Sequence, residues 1–142
     1  MQKTILVTLV MLAGCSDGTV EPAQPTLQIT TLLSTATLRV GDSLSVRVTA
    51  KNVGTAVVSV PTAPCPSAFE ILQGSTLVWP IGQLCTPLAY APRALARGDS
   101  YVYESGLLPL TLAAGDYRVR GRVLRDGAYV FSPDIAIKIV AR

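Results

Sequence analysis

One stretch near the C-terminus constrains the fold more than any other. Tyr117, Val119, Gly121 and Val123 alternate with Arg118, Arg120 and Arg122. A period of two fits a strand with one buried and one wet face, and it fits no helix. Asp126-Gly127 follows; both residues tolerate positive φ, so the pair closes a two-residue hairpin. Ala128 to Phe131 return from it, and Ile135, Ile137 and Ile139 form a last strand beyond Pro133. Upstream, Leu44, Val46, Val48 and Ala50 alternate with Ser45, Arg47, Thr49 and Lys51 until Asn52-Val53-Gly54 ends the strand. Shorter strands are expected at Leu27 to Leu33, Ala56 to Val60, Phe69 to Leu72, Leu77 to Trp79 and Ser100 to Glu104. About seven short strands with turn signals between them predict an all-β chain folded as an antiparallel β-sandwich.

Composition narrows the chemistry. The chain has 142 residues, 49% of them hydrophobic and only 15% charged. That is one domain with enough apolar side chains for a core, and the opposite of a disordered composition. A net charge of +3 is too small to predict a nucleic-acid partner. Histidine is absent, which removes Ser-His-Asp and Cys-His nucleophiles, His-ligated metals and the usual neutral-pH base. No carboxylate pair stands at a recognised acid-base spacing, and no phosphate-cradling glycine loop or acidic calcium loop occurs. Lys51 and Lys138, which Ser-Lys chemistry would need, fall on outward strand positions. The expectation is a non-enzymatic protein without cofactor or metal.

Leu112-Ala113-Ala114-Gly115-Asp116-Tyr117 precedes the arginine-bearing strand. A tyrosine there matches the tyrosine corner of immunoglobulin-like sandwiches, whose hydroxyl bonds the backbone just upstream. With the Asn-x-Gly ending at Asn52 to Gly54, the Val78-Trp79 pair and Gly115 to Val119, the chain resembles the BsuPI-type intracellular proteinase inhibitor domain over about Leu38 to Val140. The resemblance implies an immunoglobulin-like sandwich and a protease as the partner class.

The first residues read as an address. Lys3 is followed by an apolar run from Thr4 to Leu12, too short for the roughly 20 residues that span a bilayer and suited to a signal peptide. Leu12-Ala13-Gly14-Cys15 resembles the bacterial lipoprotein signal, which implies cleavage before Cys15 and acylation of that residue. Ser16 after the cysteine implies, by the rule of that family, outer-membrane sorting in a Gram-negative cell. Residues 1–14 are then a signal peptide, 15–25 a lipidated cysteine and extended tether, and 26–142 the sandwich. The chain is expected to be exported and anchored to the envelope through its lipid.

Cys65 and Cys85 remain as an even pair in an exported domain, where disulfides persist. Their bridge would close about 20 residues, a staple of roughly 3 kcal/mol, in a stretch rich in proline and glycine. A two-thiolate metal site is the alternative, but neither a histidine nor another free cysteine is present to complete it.

Three surfaces are candidates for binding. Thr86, Pro87, Leu88 and Tyr90 lie on a proline-restrained segment that begins at Cys85, and rigidity of that kind suits a loop that docks into a protease. Arg118, Arg120 and Arg122 stand about 7 Å apart on one strand face, a strip for lipid head groups, acidic glycans or an acidic protein. A plain solvated sheet face that discourages edge pairing is the favoured reading of that strip. Tyr101 and Tyr103 share a face and are expected to pack rather than to stack on sugar, and Trp79 is expected as the inter-sheet aromatic. The expected function is a protein-binding envelope module, with an inhibitor-like role as its most concrete version. The alternatives are a structural or assembly accessory of the envelope and a binder of glycans or head groups.

Overall fold

The computed structural model describes residues 26–64, 67–81 and 91–142. Among them are thirteen strands and no helix: β1 (Leu27–Leu33), β2 (Thr37–Arg39), β3 (Ser43–Leu44), β4 (Val46–Asn52), β5 (Val58–Val60), β6 (Phe69–Gln73), β7 (Thr76–Trp79), β8 (Arg93–Leu95), β9 (Ser100–Glu104), β10 (Leu108–Pro109), β11 (Gly115–Arg125), β12 (Ala128–Phe131) and β13 (Ile135–Val140). One sheet has the order β1-β4-β9, and the facing sheet has the order β2-β13-β11-β6-β7 with β12 also on β11. Two-stranded ribbons, β10-β3 and β5-β8, flank the two ends of β4. Pairing is antiparallel except for β2 on β13. β1, β4 and β9 alternate along the chain with strands of the larger sheet, so the chain crosses between the sheets repeatedly in the manner of an immunoglobulin-like sandwich.

Alternation decides which side chains meet. Val46, Val48 and Ala50 of β4 and Tyr103 of β9 are buried against Phe69 and Ile71 of β6, Tyr117, Val119 and Val123 of β11, and Ile137 and Ile139 of β13. The corner forms as its sequence implies, with the Tyr117 hydroxyl donating to the Ala113 carbonyl at 2.9 Å. Asp126 and Gly127 adopt φ of 50° and 82° and set the register Arg125↔Ala128, the geometry a type I′ turn requires.

Asn52 ends β4 by filling a socket rather than by leaving the core. Its Nδ2 donates to the Ala56 and Leu95 carbonyls at 2.7 and 2.9 Å, and its Oδ1 accepts from the Gly54 N–H at 3.0 Å. The side chain is fully buried and ties the end of β4 to the β5-β8 ribbon.

Gly121 lies where the first sheet presses onto β11. A Cβ there would sit 2.5 Å from Thr31 Oγ1 and 2.9 Å from Val48 Cγ1, so only glycine fits. The Gly121 N–H donates to Thr31 Oγ1 and Ser132 Oγ, each at 2.9 Å. Ser132 Oγ in turn donates to the Pro133 carbonyl, which leaves the Thr31 hydroxyl to donate to Ser132.

The strand count exceeds the expected seven because tertiary contacts recruit short pieces that carry no pattern of their own. β2, β8 and β10 have three residues or fewer and are held by neighbours distant in sequence. The alternating run from Leu44 breaks into β3 and β4 because Ser34 Oγ takes the Ser45 N–H and Ser105 Oγ takes the Val46 N–H.

Two substitutions test this frame. Gly121→Ala is expected to destabilise the domain by about 1–3 kcal/mol through overpacking, read by denaturant unfolding. Asn52→Ala strands the buried Leu95 carbonyl and Gly54 N–H and the part-buried Ala56 carbonyl, each buried group costing about 1–3 kcal/mol when left unpaired, and should leave little folded protein in the same assay.

Candidate functional site

The outward face of the larger sheet holds the arginine strip, and its geometry differs from a row of solvated cations. Arg118 bonds Asp134 and the Gly74 carbonyl. Arg120 and Arg122 share one carboxylate: Glu70 Oε1 lies 2.6 Å from Arg120 and Oε2 lies 3.0 Å from Arg122. Arg122 and Glu70 are both buried. The pairing follows from register, since Arg120 stands opposite Glu70 on β6.

Aromatic rings of β12 cover the guanidiniums. The Arg120 Cζ lies 4.1 Å from the Phe131 ring centroid, and the Arg122 Cζ lies 4.8 Å from that of Tyr129. The two-residue turn places Tyr129 opposite Leu124 and Phe131 opposite Arg122, so each ring reaches the arginine diagonal to or beyond its partner. Guanidinium–ring stacking adds to the ion pairs where water is excluded. The solvated strip that the alternation favours is thus in part a closed ladder of Glu70, Arg120, Arg122, Tyr129 and Phe131. Sequence reasoning missed its other members, although counting back from Asp126-Gly127 would have found the two rings.

A second feature lies on the flank between the sheets. A cleft of about 410 Å³ is lined by Phe69, Trp79, Tyr101, Val102, Tyr103 and Leu108, with Thr62, Ser67, Glu104 and Ser105 among its polar groups. Trp79 is half-buried and stacks on Phe69 at 4.4 Å, at the margin of the core rather than its centre. Tyr101 and Tyr103 meet edge to face at 4.9 Å. They pack as expected: the Tyr103 hydroxyl donates to the Pro61 carbonyl at 2.7 Å and that of Tyr101 to the Thr62 carbonyl. Burial, and then the neighbouring Tyr101, keep the Tyr103 hydroxyl protonated well above the ordinary tyrosine range.

β9 forms one wall of this cleft, and among the described residues it pairs with β4 alone. Its ladder is bonded at both ends, Asn52 N–H to the Asp99 carbonyl and Ser105 N–H to the Val46 carbonyl. Bonded and non-bonded pairs alternate along an antiparallel ladder, so Tyr101 and Tyr103 direct their backbone groups at β4. The N–H and C=O of Ser100, Val102 and Glu104 then point outward along the edge. The Val102 side chain is 47% exposed, and Glu104 is held by Arg47 at 2.6 Å.

The remaining sequence candidates, Cys15, Cys65, Cys85, Thr86, Pro87, Leu88 and Tyr90, lie outside the described residues. Within the described residues no cluster of metal-ligating side chains occurs, and no helix is long and apolar enough to cross a membrane.

No family model and no curated protein matches the chain. Among solved structures it is similar to a β-glucosidase from Listeria innocua crystallised with glucose, at 16% identity and a TM-score of 0.39 over 80% of this chain. The chain spans only 16% of that enzyme's length. At that distance the likeness carries no functional argument.

Removal of the shared carboxylate tests the ladder. Glu70→Ala leaves Arg122 buried and unpaired and should cost about 3–5 kcal/mol. Glu70→Met combined with Arg122→Met should recover most of that loss in the same unfolding assay.

Proposed function

We propose that the chain is a lipid-anchored, non-enzymatic binding module of the bacterial envelope that takes an extended segment of a partner protein along β9. The observation that carries this reading is the outward row of backbone groups at Ser100, Val102 and Glu104 beside the aromatic cleft. A partner strand added at such an edge gains main-chain hydrogen bonds, and alternate side chains reach the neighbouring pocket for specificity. The lipoprotein signal ending at Cys15 supports the anchor, and the BsuPI resemblance makes an exported protease the partner class to seek first. Segment Cys85 to Tyr90 would be the second contact of an inhibitor-like version.

The test is crosslinking of the anchored protein in its own envelope, followed by affinity capture and mass spectrometry. Val102→Pro removes an outward N–H while leaving the Tyr101 and Tyr103 bonds to β4. It is expected to weaken capture of the partner by roughly tenfold, about 1.4 kcal/mol, with little change in melting temperature. Trp79→Ala should weaken capture through the cleft. Capture that is indifferent to both changes would reject the edge as the binding site, and recovery of assembly proteins alone would assign the domain to an accessory role.

A further inference from the structure

The β11–β12 hairpin carries apolar groups outward where a solvated sheet face would carry polar ones. Leu124, Tyr129 and Phe131 are 43%, 36% and 41% exposed. They are contiguous, because Leu124 pairs directly with Tyr129 and Phe131 follows two residues along the same strand. Beneath them one carboxylate, Glu70, faces two guanidiniums, so the patch keeps a surplus positive charge. Arg120, whose side chain is 31% exposed, is the cation nearest to solvent in that pair. Exposed aromatic and aliphatic side chains beside arginine match the interfacial zone of a bilayer, where rings sit at head-group depth and guanidiniums meet phosphate.

The position of the hairpin fits the same surface. Thr31 touches Gly121 in the middle of β11. From Thr31, β1 runs through Leu33, opposite Val46, toward Leu44 and the bond between Leu110 and Asp42. That is the end at which β2 pairs with Ile139 and Gly115 begins β11. Leu27 therefore lies toward the opposite end, with Arg125 and the Asp126-Gly127 turn. The segment that leads to Cys15 enters the domain on the side of the hairpin.

Residues 15–25 number eleven, a length of chain that reaches at most about 36–40 Å. β11 alone is about 36 Å long at the strand rise. The hairpin end accordingly stays within about 40 Å of the lipid, and the opposite end can lie a strand length farther away. A tether that short supplies an effective concentration in the millimolar range, so a contact of weak intrinsic affinity is populated.

We infer that the outward face of the β11–β12 hairpin, with Leu124, Tyr129, Phe131 and Arg120, rests on an anionic phospholipid surface and orients the domain on its own membrane. The inference rests on the lipid-anchor reading. It leaves the β9 flank, on the far side of the sandwich from β12, turned to a protein partner.

The full chain, isolated with its anchor and reconstituted into nanodiscs of phosphatidylethanolamine and phosphatidylglycerol, is the sample. Nitroxide-labelled head groups broaden the amide resonances of whatever part of the domain lies on the lipid. Broadening is expected to concentrate at residues 124–131. It should fade when phosphatidylcholine replaces phosphatidylglycerol, and between about 0.1 and 1 M salt, as the screening length drops from about 10 to 3 Å. Tyr129→Ser with Phe131→Ser should abolish it. Leu124→Ser, at an exposed position that the fold does not need, should reduce it with the melting temperature unchanged. Even broadening over the whole domain, or broadening at the Gly106 to Pro109 end, would overturn the inference. So would absence of lipid broadening together with perturbation of the same resonances by an acidic oligosaccharide. Mass spectrometry of the N-terminal peptide separates the two readings. An unmodified Cys15 rejects the anchor, and the same chain mixed with vesicles then tests the face, where absence of broadening at 124–131 rejects it too.

Discussion

The peptide nitrogen of Gly121 is the point on which the arrangement of strands turns. Here β11 stops pairing with β13 and starts pairing with β12, because the returning chain passes through Ser132-Pro133 and a proline has no N–H to offer a ladder. Two buried hydroxyls, Thr31 from the opposite sheet and Ser132 from the crossing chain, accept the Gly121 N–H in place of a ladder carbonyl. Buried polar groups of this kind are tolerable only when each is satisfied, and among the described residues none is left unpaired. The absence of a side chain at 121 lets the first sheet reach the backbone, so one residue joins both sheets and both halves of the β11 edge.

The length of β11 follows from that junction. Its eleven residues carry β13 along the first half and β12 along the second, and the second half extends the larger sheet toward the Asp126-Gly127 turn. Outward side chains on that extension stack on the rings of β12, which converts a strip of cations into an ion-paired, ring-covered ladder. The opposite flank is built differently. Among the described residues β9 and β7 are both sheet edges, and the aromatic cleft lies between them. The two flanks present different chemistry, arginine with ring edges on one and an open backbone edge on the other.

The parts of the fold that were legible share one property: their signal is local. Alternation at Leu44 to Lys51 and at Tyr117 to Val123 marks faces, Asp126-Gly127 marks a turn that needs positive φ, and Tyr117 marks a corner closed within four residues. Strands Leu27–Leu33 and Ser100–Glu104 have the bounds that their patterns predict. β2, β8 and β10 were illegible because residues distant in sequence hold them. The same distinction applies to the site. Arg118, Arg120 and Arg122 were visible as a strip, but Glu70 enters only through the β6–β11 register, and the cleft exists only because β4, β6, β7 and β9 converge.

Sequence alone determined the all-β class, the strand faces and the hairpin, because those depend on backbone preferences and on side chains within a few residues of each other. The resemblance of Leu12 to Cys15 to a lipoprotein signal is likewise local and is read without a fold. Tertiary structure decided which charges are neutralised, which aromatic rings stay exposed and which strand edge is left open. Those outcomes depend on inter-sheet distance and on the register between strands distant in sequence, and neither quantity is encoded in any single stretch of the chain.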